Sequence, residues 1–480
     1  MKIVHSLAAI LISLMFVVVS WGADAKRVFR AGAATSNITP LIGEKIVGGF
    51  TPAPSKAIHD ELHARCLVLD DGQTRIGIVV CDNLSIAREI CDEAKRLAQS
   101  ATGIPVDRIL ISATHTHSGV SARGSSLLRS DEQLTNYQQL LVRRIADGLA
   151  RAANNLEPAR IGWGVGRVPD QVFNRRWYMK GLTEMGNPFG GVDQVRMNPP
   201  SGSPNLLEPA GPTDPEVSFL SVQSLEGRPI ALLANYSLHY VGGTGDSQIS
   251  ADYFALFADR IQQLLAADRL DPPFVGFMSN GTSGDINNIN FRNPRGRQAP
   301  YEQMRRVADD VAKEVYRVHQ SIKFQDDVPL GMVQRELTLA TRKPTPELVE
   351  RAKKLISGEL KPVHPRDVDY ASRTLDMEKG PSEVIIVLQA IRIGDLAIAT
   401  SPFETFAETG LEIKSRSPWK PTFTIELANG GYGYLPTPEQ HRLGGYETWL
   451  GTNRVELQAS RKMTDLLVSM LEELKNTKEK

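Results

Sequence analysis

Four short apolar runs in this 480-residue chain each stop at a cluster of small polar, imidazole or carboxylate side chains, and that recurrence constrains the fold more than any other feature. Arg108 to Ala113 runs into Thr114-His115-Thr116-His117-Ser118-Gly119, and Ala231 to Ala234 runs into Asn235-Tyr236-Ser237-Leu238-His239. Phe274 to Met278 ends at Ser279-Asn280-Gly281-Thr282-Ser283-Gly284-Asp285, and Leu396 to Thr400 ends at Ser401-Pro402-Phe403-Glu404. Short runs of this composition read as buried strands. In open α/β sheets, ligands bind beyond the carboxyl ends of strands. The expected fold is therefore α/β, a mixed β-sheet core flanked by helices, with the active site at the strand C-terminal ends.

The rest of the chain supplies partners for those strands. Val28 to Ala33 reads as a first strand, and Leu62 to Leu69 and Ile76 to Val80 flank the hairpin signal Asp71-Gly72. Ile86 to Gln99 has helical spacing, with Ile86, Ile90, Ala94 and Leu97 on one face. Further helices are expected at Glu132 to Asn154, Asp252 to Ala266, Tyr301 to Ser321 and Arg454 to Leu474. Pro344 to Met377 is charged and helical in pattern, and residues 342–381 read as a helical insertion on the main body. Pro169 to Pro215 is rich in Gly, Asn and Pro but carries Phe173, Trp177, Tyr178 and Phe189, which favours an ordered loop near a pocket. No internal repeat or low-complexity tract interrupts residues 26–480, which are expected to form one catalytic domain.

Composition excludes several classes. Lys plus Arg and Asp plus Glu both number 55 and no long basic run occurs, which argues against nucleic-acid binding by phosphate neutralisation. The three cysteines, Cys66, Cys81 and Cys91, allow at most one disulfide and lack the spacing of a Cys-based zinc site. Cys66 and Cys81 lie in apolar runs and read as buried, inert thiols. Lys2, the apolar stretch Leu7 to Val19 and the small-x-small site Ala23-Asp24-Ala25 read as a signal peptide over residues 1–25. The mature protein is then expected to be exported; an uncleaved membrane anchor is the alternative.

The chemistry-bearing residues are individually ambiguous. His115 and His117 are two apart, so in extended backbone they face one cavity. Imidazole there serves as metal ligand or general base, or is simply a satisfied polar group at a strand end. His239 alone is as readily structural, and Glu404 opens a helix where the dipole favours a carboxylate. Tyr434 lies in Gly430-Gly431-Tyr432-Gly433-Tyr434, where glycines permit unusual backbone geometry. The loop from Ser279 to Asn288 either aims backbone N–H groups at an oxyanion or is an ordinary turn. Neither a Gly-x-Ser-x-Gly elbow nor a P-loop occurs.

Taken in order, the motifs resemble the neutral (non-lysosomal) ceramidase family. The shared landmarks are Ala31-Gly32-Ala33 with Ile38-Thr39-Pro40, Ile58-His59, the His115 string, Asn174-Arg175, His239, Gly284-Asp285, Glu404, and Tyr434 followed by Tyr446. The resemblance implies Zn2+ held by His115, His239, Glu404 and Tyr434, with His117 as the acid/base group. It implies that Arg175, rather than the adjacent Arg176, and Tyr446 steady the substrate carbonyl as it becomes an oxyanion. The implied substrate is a small-molecule or lipid N-acyl compound, with peripheral membrane contact. Two departures stand out. The family's serine two positions after the Gly-Asp aspartate is Asn287 here; an amide is no acyl-accepting nucleophile, though it can donate a hydrogen bond to an oxyanion. The family's C-terminal immunoglobulin-like domain also has no room before Lys480. These departures leave two alternatives beside an N-acyl amidase: an ester or other carbonyl hydrolase on a soluble substrate, and a non-catalytic binding protein on a degraded enzyme fold.

Overall fold

The computed structural model describes residues 28–49, 51–120, 122, 133–181 and 185–476; the signal-peptide reading and the start of the Glu132 helix lie outside them. Its larger sheet has eight strands. In chain order they are β1 (Arg30–Asn37), β2 (His63–Asp70), β3 (Arg75–Cys81), β4 (Ile109–Ala113), β5 (Glu157–Arg167), β6 (Glu216–Ser224), β7 (Pro229–Tyr236) and β8 (Val275–Asn280). Their spatial order is β8-β7-β6-β5-β1-β2-β3-β4. Neighbours are antiparallel except for the two edge pairs, β7–β8 and β3–β4, which are parallel. Each parallel pair needs a crossover, and a helix supplies it: α1 (Arg88–Thr102) between β3 and β4, and α3 (Asp252–Leu264) between β7 and β8. Strands β2 and β3 form the hairpin expected at Asp71-Gly72.

A second sheet, which the sequence pattern did not separate from the first, holds β9 (Leu330–Ala340), β10 (Glu383–Ile393), β11 (Leu396–Thr400) and β12 (Thr422–Ile425) in that order. The fourth of the apolar runs is thus β11 of the smaller sheet. Side-chain alternation explains the stacking. On β2, Ala64, Cys66 and Val68 join the cluster under α1 and α2 (Asn136–Asn154). The intervening Leu67 and Leu69 join Ile391, Ile393, Ile398 and Phe423 between the sheets. Both faces of β2 are buried, so its sequence is a continuous apolar run rather than an alternating one. The outer face of the smaller sheet packs Ile386, Leu388 and Ala399 against Met463, Leu467 and Leu471 of a C-terminal helix, Ala459–Asn476. Beyond β6, β7 and β8, α3 and α4 (Glu302–His319) complete the helical layer. The result is four layers: helices, sheet, sheet, helix.

The expected insertion comprises α5 (Pro346–Ser357) and α6 (Asp367–Lys379), carried between the antiparallel β9 and β10. Pro169 to Pro215 is ordered, with short strands at Phe173–Asn174, Arg176–Met179, Val195–Met197 and Leu206–Pro209. All three cysteines are buried and free, and burial pushes the Cys66 and Cys91 thiols up to about 12. Among the described residues no helix is long and apolar enough to cross a membrane.

One segment brings the site together. Residues 426–429 follow β12 and bridge both edges of the larger sheet. Glu426 N–H donates to the Asn280 carbonyl at the end of β8, and Ala113 N–H at the end of β4 donates to the Leu427 carbonyl. Asn429 N–H donates to the Ile111 carbonyl. The edges that carry His115 and the Ser279–Asp285 loop are thereby tied to the sheet that carries Glu404.

Candidate metal centre

His115 leaves β4 with φ of 71°, left-handed backbone that a non-glycine side chain rarely adopts. That turn aims its ring inward, where it is 1% exposed. His115 Nδ1 lies 2.8 Å from the Leu84 carbonyl, and His239 Nδ1 lies 3.0 Å from the Ser283 carbonyl. A carbonyl only accepts, so both Nδ1 atoms carry the proton and both Nε2 atoms present lone pairs. Those two Nε2 atoms are 3.1 Å apart. Glu404 Oε2 lies 3.2 Å from the first and 3.6 Å from the second. Three acceptor atoms converging in a buried site repel one another unless a cation stands among them. The donor set of imidazoles and a carboxylate is that of a divalent transition metal.

His117 completes the group. Its Nε2 is 3.0 Å from His115 Nε2, and the three imidazoles form one candidate ligand set within 4.8 Å. Its ring stacks on Tyr240, with centroids 3.6 Å apart and planes inclined by 13°. His115 and His239 are buried while His117 stays partly exposed. Burial, then the Arg175 charge, holds His239 well below the usual histidine range, so it remains a neutral ligand nitrogen.

Backbone pairing seats the carboxylate and the tyrosine together. Glu404 pairs with Tyr434 in a short parallel ladder, Glu404–Thr405 against Tyr434–Leu435. The Tyr434 hydroxyl bonds Glu404 and accepts from Arg175 Nη2 at 3.0 Å. Gly284 makes the approach of Glu404 to the loop feasible: a Cβ there would lie 2.4 Å from the Glu404 carbonyl oxygen. Arg175 Nη2 also donates to the Gly284 carbonyl at 2.7 Å, and its Nε donates to Glu447 at 3.0 Å. Burial works against the Arg175 charge, but Tyr434 and Glu447 outweigh it and its pKa rises.

The neighbouring Arg176 points elsewhere. It donates to the other Glu447 oxygen, to Gln440 and to the Gly444 carbonyl, and so fixes loops rather than facing the histidines. Tyr446 packs edge-on to Tyr434, centroids 5.7 Å apart, and lines the same cavity of about 190 Å³ as His115, His117, Glu404 and Tyr434. Asn287 does not line that cavity. Its Nδ2 donates to Asn198 at 2.8 Å and its Oδ1 accepts from Ile289 N–H, so its side chain orders the loop. Seven of the eight residues singled out in the sequence thus gather at the site, and Asn287 stands apart.

Three contributors carried no sequence signal. Buried Glu426 accepts from Ser283 Oγ at 2.7 Å and from Thr405 N–H at 2.8 Å, bracing the carbonyl behind His239 and the residue after Glu404. Arg373 comes from α6 and lines the cavity, so the insertion reaches the site as well as packing on the body. Asp252 accepts from the N–H groups of Val241, Gly242 and Tyr253 at 3.1, 2.9 and 2.7 Å, anchoring the turn after His239. Asp252→Ala orphans those donors and is expected to lower stability by about 2–4 kcal/mol, read as a shift in a denaturant-unfolding midpoint at unchanged slope.

Imidazoles and a carboxylate meeting at strand ends of a layered α/β protein place it among candidate metalloenzymes. A family model described as neutral/alkaline non-lysosomal ceramidase, N-terminal, matches residues 29–379. The chain belongs to that family, whose members are hydrolases. Its fold is similar to that of the neutral ceramidase from Pseudomonas aeruginosa, with TM-score 0.68 at 18% identity over 93% of this chain and 74% of that one. It is similar also to a ceramidase complexed with C2, with TM-score 0.67 at 16% identity over 94% and 75% of the two chains.

Proposed function

We propose that this protein is a zinc-dependent hydrolase that cleaves the N-acyl amide bond of ceramide-like lipids. The observation that carries the reading is the convergence of two acceptor-fixed imidazole nitrogens and the Glu404 carboxylate, 3.1 to 3.6 Å apart, beside a cavity. His115, His239, Glu404 and Tyr434 would hold the ion. When bound, zinc supplies Lewis acidity toward a carbonyl oxygen and makes water easier to deprotonate near neutral pH. His117, partly exposed at the cavity, takes a proton from the attacking water and returns it to the departing nitrogen. Arg175 and Tyr446 place positive charge and a hydroxyl near the carbonyl oxygen as it gains charge. Asn287 is given no part in the reaction.

Family membership and the two ceramidase structures support an N-acyl lipid as substrate. Leu41 and Ile42, 83% and 60% exposed, lie on the loop whose Val47, Gly48 and Gly49 line the cavity, which supports contact with a lipid surface. Export rests on the leader sequence alone. The test is metal analysis of the purified protein followed by N-acyl amides and esters of equal chain length. Bound zinc and fatty-acid release from the amide, abolished by a chelator and restored by zinc, are expected. Turnover of the ester alone would reassign the enzyme, and bound zinc with no turnover would make it a binding protein.

A further inference from the structure

A second cavity, about 560 Å³, lies outside the metal centre and contains none of its histidines. Arg342 and His441 reach it from different parts of the chain, the first just after β9 and the second from the short helix Pro438–Leu443. The Arg342 guanidinium donates to the Thr448 carbonyl at 2.7 Å and to Asn453 Oδ1 at 3.0 Å. Both partners are neutral, and among the described residues no carboxylate pairs with it. Burial alone pulls its pKa down to about 10. His441 Nε2 is buried with no hydrogen-bond partner among the described residues. Burial, then the Arg342 and Arg176 guanidinium groups, hold its ring well below the usual histidine range. Arg442 adds a second guanidinium to the lining, with Glu439 at 3.9 Å. Asp193, the carboxylate in the wall, is committed to Trp449 Nε1 at 2.7 Å and Asn187 Nδ2 at 2.9 Å.

A cation sheltered from water with only neutral partners is costly, and so is a buried ring nitrogen with none. An anion would satisfy both, since a guanidinium fork matches a carboxylate well. The remaining walls mix polar groups with apolar side chains, among them Phe189, Leu348, Leu450 and Leu457. We propose that this cavity is a binding site for an organic carboxylate with an apolar tail, its head on Arg342 and His441. The assignment rests on the cavity itself. That such a carboxylate is also what N-acyl hydrolysis would release is a link that depends on the proposed function.

Titration calorimetry with decanoate, below its micelle concentration, tests it on the protein as purified. Saturable binding is expected, weakened at least about tenfold by Arg342→Gln and by Leu348→Glu, which sets a like charge on the wall without touching the Arg342 hydrogen bonds. His115→Ala should bind decanoate as the wild type does, which separates this site from the metal centre and from any failure of the hydrolase reading. Absence of saturable binding, equal affinity for decanol, competition by inorganic phosphate as effective as decanoate's own binding, or undiminished affinity in Leu348→Glu overturns the proposal.

Discussion

His115→Ala is expected to leave the protein folded and unable to hold the proposed zinc. The substitution removes the nitrogen that lies within 3.2 Å of His239 Nε2, His117 Nε2 and Glu404 Oε2, the common neighbour of the other donors. It also relieves one cost in the apo protein, the crowding of acceptors, while alanine keeps the left-handed backbone at φ 71° and the Leu84 carbonyl loses its donor. Apo stability should therefore change little, while zinc content falls to background and N-acyl hydrolysis drops by about 10³-fold or more. Metal analysis of the dialysed variant beside the wild type is decisive. Zinc retained at one equivalent would show that the ion, if any, sits elsewhere.

Arg175→Gln should cost catalysis and stability together. The guanidinium links Tyr434, the Gly284 carbonyl and Glu447, three groups from three chain regions. Loss of a donor to a developing oxyanion typically costs about 10²–10³ in kcat. Breaking one arm of the buried ion pair adds about 3 kcal/mol of destabilisation, moderated because Arg176 still holds Glu447 at 2.7 Å. A kcat loss with KM little changed marks action in the transition state. A variant that loses thermal stability but keeps kcat would reduce Arg175 to a scaffold role. Arg176→Gln is the control: Glu447, Gln440 and Gly444, its partners, do not line the histidine cavity, so its effect should fall on stability.

The sequence made the strands legible because most are buried on both faces, giving unbroken apolar runs whose ends are abrupt. It made the histidine string legible through the resemblance it carries; alone, two imidazoles at a strand end read equally as satisfied polar groups. What remained hidden was whatever depends on pairing between distant segments. The split into two sheets is one case, since β11 reads like any other buried strand. Glu426 is another: a lone glutamate after a strand signals nothing until Ser283 and Thr405 arrive beside it. Arg373 lay in a charged helix whose composition suggested only an insertion on the main body. The separation of Arg175 from Arg176 was drawn from resemblance; the alternate facing of adjacent residues in extended backbone is its physical reason. For Asn287 the position was legible and the orientation was not, because Asn198, its partner, is supplied by the long irregular segment.

The bridge formed by residues 426–429 has a consequence for biogenesis. Imidazoles contributed early in the chain wait for a carboxylate nearly three hundred positions later, and the strip that registers the two halves emerges only after that carboxylate. A nascent chain therefore has no high-affinity cage until its last quarter has docked. Uptake of the proposed zinc would then be a late event, a chemical signature that assembly is complete.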